Sequence, residues 1–451
     1  MDNQQQLQRR KTGIQIDFGG KGWFLILVLM FIMFFGLGFQ SEGMNVNLAN
    51  FAGVLGTEAA SLQAFNSYAG WVGIVGTFLW GLLSIKIGGK KVMNISLVIY
   101  AAFIMLWGQS TSMPMYVFSL FGVYFCLNGA MGIGLANLVA NWFPLRKGNV
   151  MGFVTIGASL SPIMFIPMQM ALIAAVGFNM FFIVCGILIL VLWVFTLIVR
   201  NHPEEWGAYP DNDKNMTPEQ AKKILAIAQE YKRTSPFTIG RLLKTAPMWL
   251  TAVGCAILLL VPIGFMSSII PRFGSVGIEP PAVVALISAG GVVNLFFSLV
   301  TGFVDQKVGT KAATFMCYGL YFIGIILTCF MQNLTMLYIG SFIIIAVSGG
   351  VNNLTVSMSV AIFGRFDFAK AYTIINPVSV AVRTLGYMMV GPIVVLTGSY
   401  VISNVALMVI MAIGIVLIAV NKIKPIGRTE EEFEADAARM ASKEAPSTPA
   451  A

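Results

Sequence analysis

Gly81-Leu-Leu-Ser-Ile-Lys-Ile-Gly-Gly-Lys90 returns 221 residues further on as Gly302-Phe-Val-Asp-Gln-Lys-Val-Gly-Thr-Lys311. Gly, Lys, Gly and Lys occupy the same four positions in both decapeptides: Gly81, Lys86, Gly88 and Lys90, then Gly302, Lys307, Gly309 and Lys311. Each copy closes one long apolar run and opens the next, and the offset is close to half of the 451 residues. One glycine-and-lysine loop arises easily by chance. Two in matching register at half-length mark an internal duplication.

The apolar runs around these loops are too many for a water-soluble core. Hydrophobic residues make up 57% of the chain and charged residues 10%, against about 25% charged in an ordinary soluble domain. Lipid accepts apolar side chains all round a helix, and a span needs about 20 residues. Runs of that length lie near 23–44, 62–85, 92–112, 114–140, 148–174 and 178–199, and again near 247–270, 281–304, 312–331, 335–362, 371–396 and 400–421. With the N-terminus placed inside, 26 of the 28 lysines and arginines fall on inward segments; only Arg272 and Arg383 do not. A wrong number of spans would scramble that alternation, so twelve spans with both termini cytoplasmic are expected. The same distribution accounts for the net charge of +9 through membrane orientation and removes nucleic acid as a partner.

The expected fold class is therefore an all-α integral membrane protein, with twelve transmembrane helices in two pseudo-symmetric six-helix bundles. The organisation reads as an N-terminal segment 1–22, a first bundle 23–199, a central loop 200–246 with a short surface helix from Thr217, a second bundle 247–421 and a disordered tail 422–451. Residues 1–22 are polar and basic and the following run is too long for a signal core, so no cleavable leader is expected. Repeated halves around a site at mid-membrane are an architecture of secondary transporters.

Five cysteines, all in apolar runs, show no metal-ligand spacing, and the single histidine, His202, has no partner cluster in sequence. No cofactor, metal or catalytic centre is expected, and His202 reads as a solvated loop residue. Pro162, Pro167 and Pro262 read as helix kinks. Gly129, Gly132 and Gly134 read as close helix packing rather than a phosphate loop.

Arg383 is the residue that points to function. It is the only charge in the run 371–396, and an ion at that depth costs at least ~2.5–3.5 kcal/mol unless it meets water, a partner or a ligand. Tyr372, Asn376, Ser379, Arg383 and Tyr387 follow steps of four, three, four and four, which places them on one helix face. A guanidinium grips a carboxylate through two parallel hydrogen bonds, so Arg383 is expected to bind an anionic substrate, with Asn376, Ser379 and Tyr387 beside it. The structural alternative is an arginine paired within the bundle. Tyr124, Asn128 and Asn137 on the fourth span, and Asn352 and Asn353 on the tenth, either line the same cavity or bond between helices; Tyr124 and Asn128 are the candidates for the binding site. Glu42 could carry a coupling proton or be a solvated loop acid.

These features resemble the major facilitator superfamily over nearly the whole chain. That family carries a Gly-x-x-x-Asp-Arg-x-Gly-type gating motif after its second and eighth helices. Gly81, Lys86, Gly88, Asp305, Lys307 and Gly309 correspond to it, but Ile85 stands where the first acid is expected and Asp305 lies one place early. Asn141-Trp-Phe-Pro-Leu-Arg-Lys-Gly148, Phe237-Thr-Ile-Gly-Arg-Leu-Leu-Lys-Thr245 and Leu396-Thr-Gly-Ser-Tyr400 resemble the oxalate:formate antiporter and monocarboxylate transporter branch. That resemblance implies small organic anions carried by exchange or with a proton, in a bacterial inner membrane. It also implies cations on helices eight and eleven. The helix-eleven position falls near Ser379, one turn from Arg383. Helix eight has no lysine or arginine; Arg272, just before it, is either the second cation or an ordinary outer-loop arginine. One secure cation favours a monocarboxylate; a neutral or zwitterionic substrate, with Arg383 structural, is the alternative.

Overall fold

The computed structural model describes residues 16–426, together with 432, 435 and 436. The expectations for 1–15 and for most of the tail fall outside the described residues. Helices α1 (Gly19–Leu37), α2 (Ala59–Ile87), α3 (Gly89–Gly108), α4 (Met113–Trp142), α5 (Lys147–Val176) and α6 (Phe178–Ile198) precede the central linker. Helices α7 (Ala246–Met266), α8 (Pro280–Val308) and α9 (Thr310–Cys329) follow it. The helical stretch Leu334–Thr397 is broken at Gly364, whose φ of 70° no helix tolerates, giving α10 (334–363) and α11 (365–397). Helix α12 (Tyr400–Val420) completes twelve spans. No strand occurs among the described residues. Large apolar side chains such as Phe31, Phe118, Phe296 and Val409 lie exposed on the outer faces, where lipid rather than water is their solvent.

The first apolar run does not extend as one helix to residue 44. It turns π-helical at Gly38–Glu42, and a separate helix, Met44–Leu55, follows before α2. Helix α4 carries a second π-helical turn at Asn128–Gly134 and α5 a third at Ser161–Phe165, which contains Pro162. Such turns widen a helix and leave backbone groups for other partners.

The repeated decapeptides do the same work in both halves. Gly88 (φ 88°, ψ 155°) and Gly309 (φ 108°, ψ 156°) adopt nearly one conformation, which a residue with a Cβ rarely enters. Two residues on, Lys90 donates to the Leu197 carbonyl at the end of α6 (3.0 Å). Lys311 donates to Ala419 (2.7 Å) and Asn421 (3.1 Å) at the end of α12. Each lysine thus caps the last helix of its own half, where the carbonyl end favours a cation.

The two halves meet on the face that carries the linker. A Cβ added to Gly302 on α8 would stand 2.6 Å from the Gly148 carbonyl oxygen on α5, and one at Gly81 on α2 would stand 2.8 Å from Thr373 on α11. From the first of these contacts a polar seam climbs toward the membrane centre. The Thr155 hydroxyl bonds to that of Ser298 and donates to Asn353 on α10 (3.1 Å), while Ser159 donates to Asn294 (2.6 Å).

The linker straps both halves. Asp211, which burial raises in pKa while the N–H groups pull it back, accepts from the backbone of Leu145 and Arg146 between α4 and α5. Glu204 forms a two-pronged ion pair with Arg365 at the start of α11, at 2.9 and 2.8 Å, with both side chains 1% exposed or less. Tyr231 and Ser235, at the end of the linker helix Pro218–Thr234, donate to Asp367 at 2.8 and 2.5 Å. His202 lies 3.4 Å from Arg365 and against Phe366, so it belongs to this strap and is not the solvated loop residue expected.

Arg365→Met leaves Glu204 buried without its partner and is expected to cost about 3–5 kcal/mol. Thermal unfolding of the purified protein reads this, with the Arg365→Met/Glu204→Leu pair recovering most of the loss. Gly302→Val, by contrast, is expected to leave the fold intact and hold the linker face apart. Faster modification of a cysteine placed at Thr155 would report it; unchanged labelling would show that α5 and α8 do not need this contact.

Candidate functional site

Helices α4 and α11 bring two of the expected residues together from opposite halves. A Cβ placed on Gly132 would lie 3.1 Å from the Asn376 amide nitrogen and 3.8 Å from the Asn128 amide oxygen. Gly132 therefore provides the space in which Asn128 and Asn376 approach each other. Both π-helical turns nearest this crossing contribute: Asn128 opens the one in α4, and Gln40 lies in the one in α1. The Asn128 amide donates to the Tyr124 carbonyl (2.8 Å), and the Tyr124 hydroxyl donates to the Gln40 carbonyl (3.1 Å).

Direction along the helices orders the site. Helix α4 runs toward the linker face and α11 away from it, so Tyr124 and Arg383 both lie on the far side of the Asn128–Asn376 crossing. Arg383 stands seven residues beyond Asn376, two helical turns or roughly 10 Å, on the same face of α11. Its side chain is half-buried, and its guanidinium interacts electrostatically with Tyr372, which is stacked on Phe368. The linker-side seam thus forms a floor. Above it, Asn128, Asn376, Tyr124 and Arg383 present two amides, a phenol and a permanent cation.

Ser379 does not join that group as expected. It is buried, and its hydroxyl donates to the Ala252 carbonyl on α7 (3.0 Å), which ties α11 to its own half. Arg272 is a clearer departure. It is fully buried rather than placed in an outer loop, between α7 and α12 of the second half. Its guanidinium donates to Asn404 (2.7 Å) and Ser268 (3.4 Å) and lies over the rings of Phe265 (4.4 Å) and Tyr400 (5.2 Å). Aromatic faces and a side-chain amide, all from the second half, stabilise the cation there. The side chains of Tyr387 and Glu42 lie outside the described residues.

The gating residues fall in two unequal sets. Asp305 is buried, with one carboxylate oxygen accepting from Thr310 (2.5 Å) and the other lodged against Gly148, where an added Cβ would be 2.2 Å away. Lys147 at the start of α5 lies within electrostatic range of it. The residue 221 places earlier is Ser84, whose hydroxyl turns back to the Gly81 carbonyl (2.7 Å). Lys86 and Lys307 lie exposed beside Gly88 and Gly309.

Sequence reasoning overlooked the seam itself, although its signal was present. Gly148, Gly152, Thr155 and Ser159 on α5, and Asn294, Ser298, Thr301 and Asp305 on α8, both follow steps of four, three and four. Each is a stripe of small and polar residues, and the two stripes face each other.

Residues 26–324, about two thirds of the chain, match the Major Facilitator Superfamily. The chain belongs to that superfamily. Among curated proteins it is 32% identical over 183 residues to MFS-type transporter 1 of Ophiocordyceps sp. (strain BCC 1869), a match spanning 40% of this chain and 36% of that protein. The chain thus matches little more than a third of that relative's length. Among solved structures, the proton:xylose symporter XylE bound to 6-bromo-6-deoxy-D-glucose superposes with a TM-score of 0.68 at 14% identity, covering 92% of this chain and 98% of XylE. The human organic anion transporter MFSD10 (TETRAN) gives 0.65 at 14% identity, covering 88% and 97%. Identities this low show a shared fold and leave cargo open. As a superfamily member with apolar helices throughout, the protein is integral to the membrane.

The placement of Arg272 makes a distinct prediction. Arg272→Met is expected to shift the unfolding midpoint, since Asn404 loses its bond, yet to leave ligand affinity within about twofold. Saturation curves for any transported ligand decide this. A tenfold weakening would make Arg272 part of the binding site.

Proposed function

We propose that this chain is a secondary transporter that works by alternating access, and that its cargo is a small organic anion bearing one carboxylate. The anion moves in exchange for a second anion or together with a proton. Superfamily membership supports transport over any enzymatic role. The observation that carries the choice of cargo is Arg383, a permanent charge at membrane depth, above the crossing of α4 and α11. Asn376, Asn128 and Tyr124 supply neutral donors and acceptors around it. The departure of Arg272 to a box in the second half removes the candidate second cation, which fits a monocarboxylate better than a dicarboxylate. The resemblance to the oxalate:formate antiporter and monocarboxylate branch belongs to the same proposal. So does a bacterial inner membrane with both termini cytoplasmic, which agrees with the positions of the lysines and arginines.

In this mechanism the conformation described is closed on the linker face and receives cargo from the other side. Rocking of the halves breaks the α5–α8 seam and the strap and opens the linker face. A bound anion offsets the charge of Arg383 in the closing cavity and so favours the occluded state.

One observation favours a second reading. The two residues at the crossing are amides, which serve a polyol or a zwitterion as well as a carboxylate, and Arg383 would then be structural.

Uptake into proteoliposomes separates the two. Labelled monocarboxylates are expected to enter faster when the vesicles hold anion or when a pH gradient is imposed. Arg383→Gln should raise the half-saturating concentration roughly tenfold to a hundredfold, and Arg383→Lys, which cannot fork, less. Uptake of neutral solutes with no carboxylate flux by folded protein would establish the second reading instead.

A further inference from the structure

Asp305 and Ser84 occupy matching positions in the two halves but do unequal work. In one, a carboxylate at the end of α8 lies against Gly148 and near Lys147 at the start of α5. In the other, Ser84 at the end of α2 turns its hydroxyl back to the Gly81 carbonyl, and the cation at the start of α11 is Arg365. The space is not filled by another protein group. A cavity of about 370 Å³ lies there, lined by Ser84, by the α2–α3 turn, by the start of α11 and by the linker helix. Lys86, Lys90, Lys91, Arg200 and Arg365 line it against one lining carboxylate, Glu205.

Part of that positive charge is already matched. Arg365 is paired with Glu204, and the Lys90 amine caps α6 through Leu197. Lys86, Lys91 and Arg200 remain as exposed cations around the cavity, each able to swing toward a ligand. The volume suits a tetrahedral oxyanion with room for a substituent.

The geometry points to a binding site for a phosphate-type anion between the α2–α3 turn and the start of α11, where it supplies the negative charge that Asp305 supplies in the other half. The cavity draws its walls from both halves and from the linker. An occupant therefore binds the conformation that is closed on the linker face and stabilises it by mass action. The inference is independent of what the central site carries. The phosphate can arrive free in solution or as the headgroup of an anionic lipid, and the chemistry of recognition is shared.

The full-length protein in delipidated detergent micelles, titrated with inorganic phosphate against equal ionic strength of sodium chloride, gives the first measurement. A saturable rise in the unfolding midpoint with phosphate and none with chloride is expected. A parallel arm compares nanodiscs of phosphatidylcholine with nanodiscs containing phosphatidylglycerol. Stabilisation in both arms assigns the site to phosphate from either source; stabilisation by phosphatidylglycerol alone assigns it to the lipid headgroup. Ser84→Asp, which restores the absent acid, should raise the midpoint unaided and abolish the response. Because an acid at a buried position can impair folding, Lys86→Gln/Lys91→Gln provides an exposed pair that should weaken half-saturation roughly tenfold. No response in either arm, or an undiminished response in the lysine pair, would overturn the site.

Discussion

Everything on the linker face depends on a contact that only glycine permits. Where Gly302 meets Gly148, helices from opposite halves approach until a carbonyl oxygen occupies the space of a missing Cβ. That approach places Ser298 and Asn294 within hydrogen-bonding reach of Thr155 and Ser159, and it lodges the Asp305 carboxylate at the start of α5. Polar groups buried this deep in a membrane protein need partners, and here the partners come from the other half. A surface held by a few side-chain hydrogen bonds and close backbones, without large interlocking apolar side chains, can separate and re-form. That is the physical requirement of the alternating access proposed above.

The strap adds a second, stronger restraint on the same face. The Glu204–Arg365 pair is fully desolvated, so its separation leaves two buried charges exposed to whatever replaces them. Opening the linker face therefore has to rehydrate both. The strap reaches Arg365 from the end of α6 and Asp367 from the end of the linker helix, and through Asp211 it also grips the α4–α5 turn. The linker is thereby a mechanical element of the closed state and more than a tether between two bundles.

Duplication set a symmetric frame and divergence filled it unequally. Both lysines two places past the turn glycines still cap the last helix of their half. The acid was kept in one copy, as Asp305, and its counterpart is Ser84. The far ends of the halves diverged as well: Arg272 became a buried, aromatic-boxed cation in the second half, whereas the first half packs its equivalent region with Phe39, Phe51, Phe165 and Phe182.

Hydropathy and charge along the chain determined the number of spans, their order, the repeat and the presence of a polar face on α11, because lipid allows few ways to satisfy a backbone and because charges stop at its surface. The turn glycines Gly88 and Gly309 were legible for the same local reason. What needed the tertiary structure was the direction each polar side chain takes. Ser379 shares a helical face with Arg383 yet bonds to α7, since the face spans a wide arc and its edge touches a neighbour. Arg272 looked like a loop residue because sequence shows no aromatic box assembled from α7 and α12. His202 looked solvated because sequence does not show the linker folded onto Arg365. The π-helical turns at Gln40 and Asn128, which flank the α4–α11 crossing, leave no mark in an apolar run, because they depend on how neighbouring helices pack and not on composition.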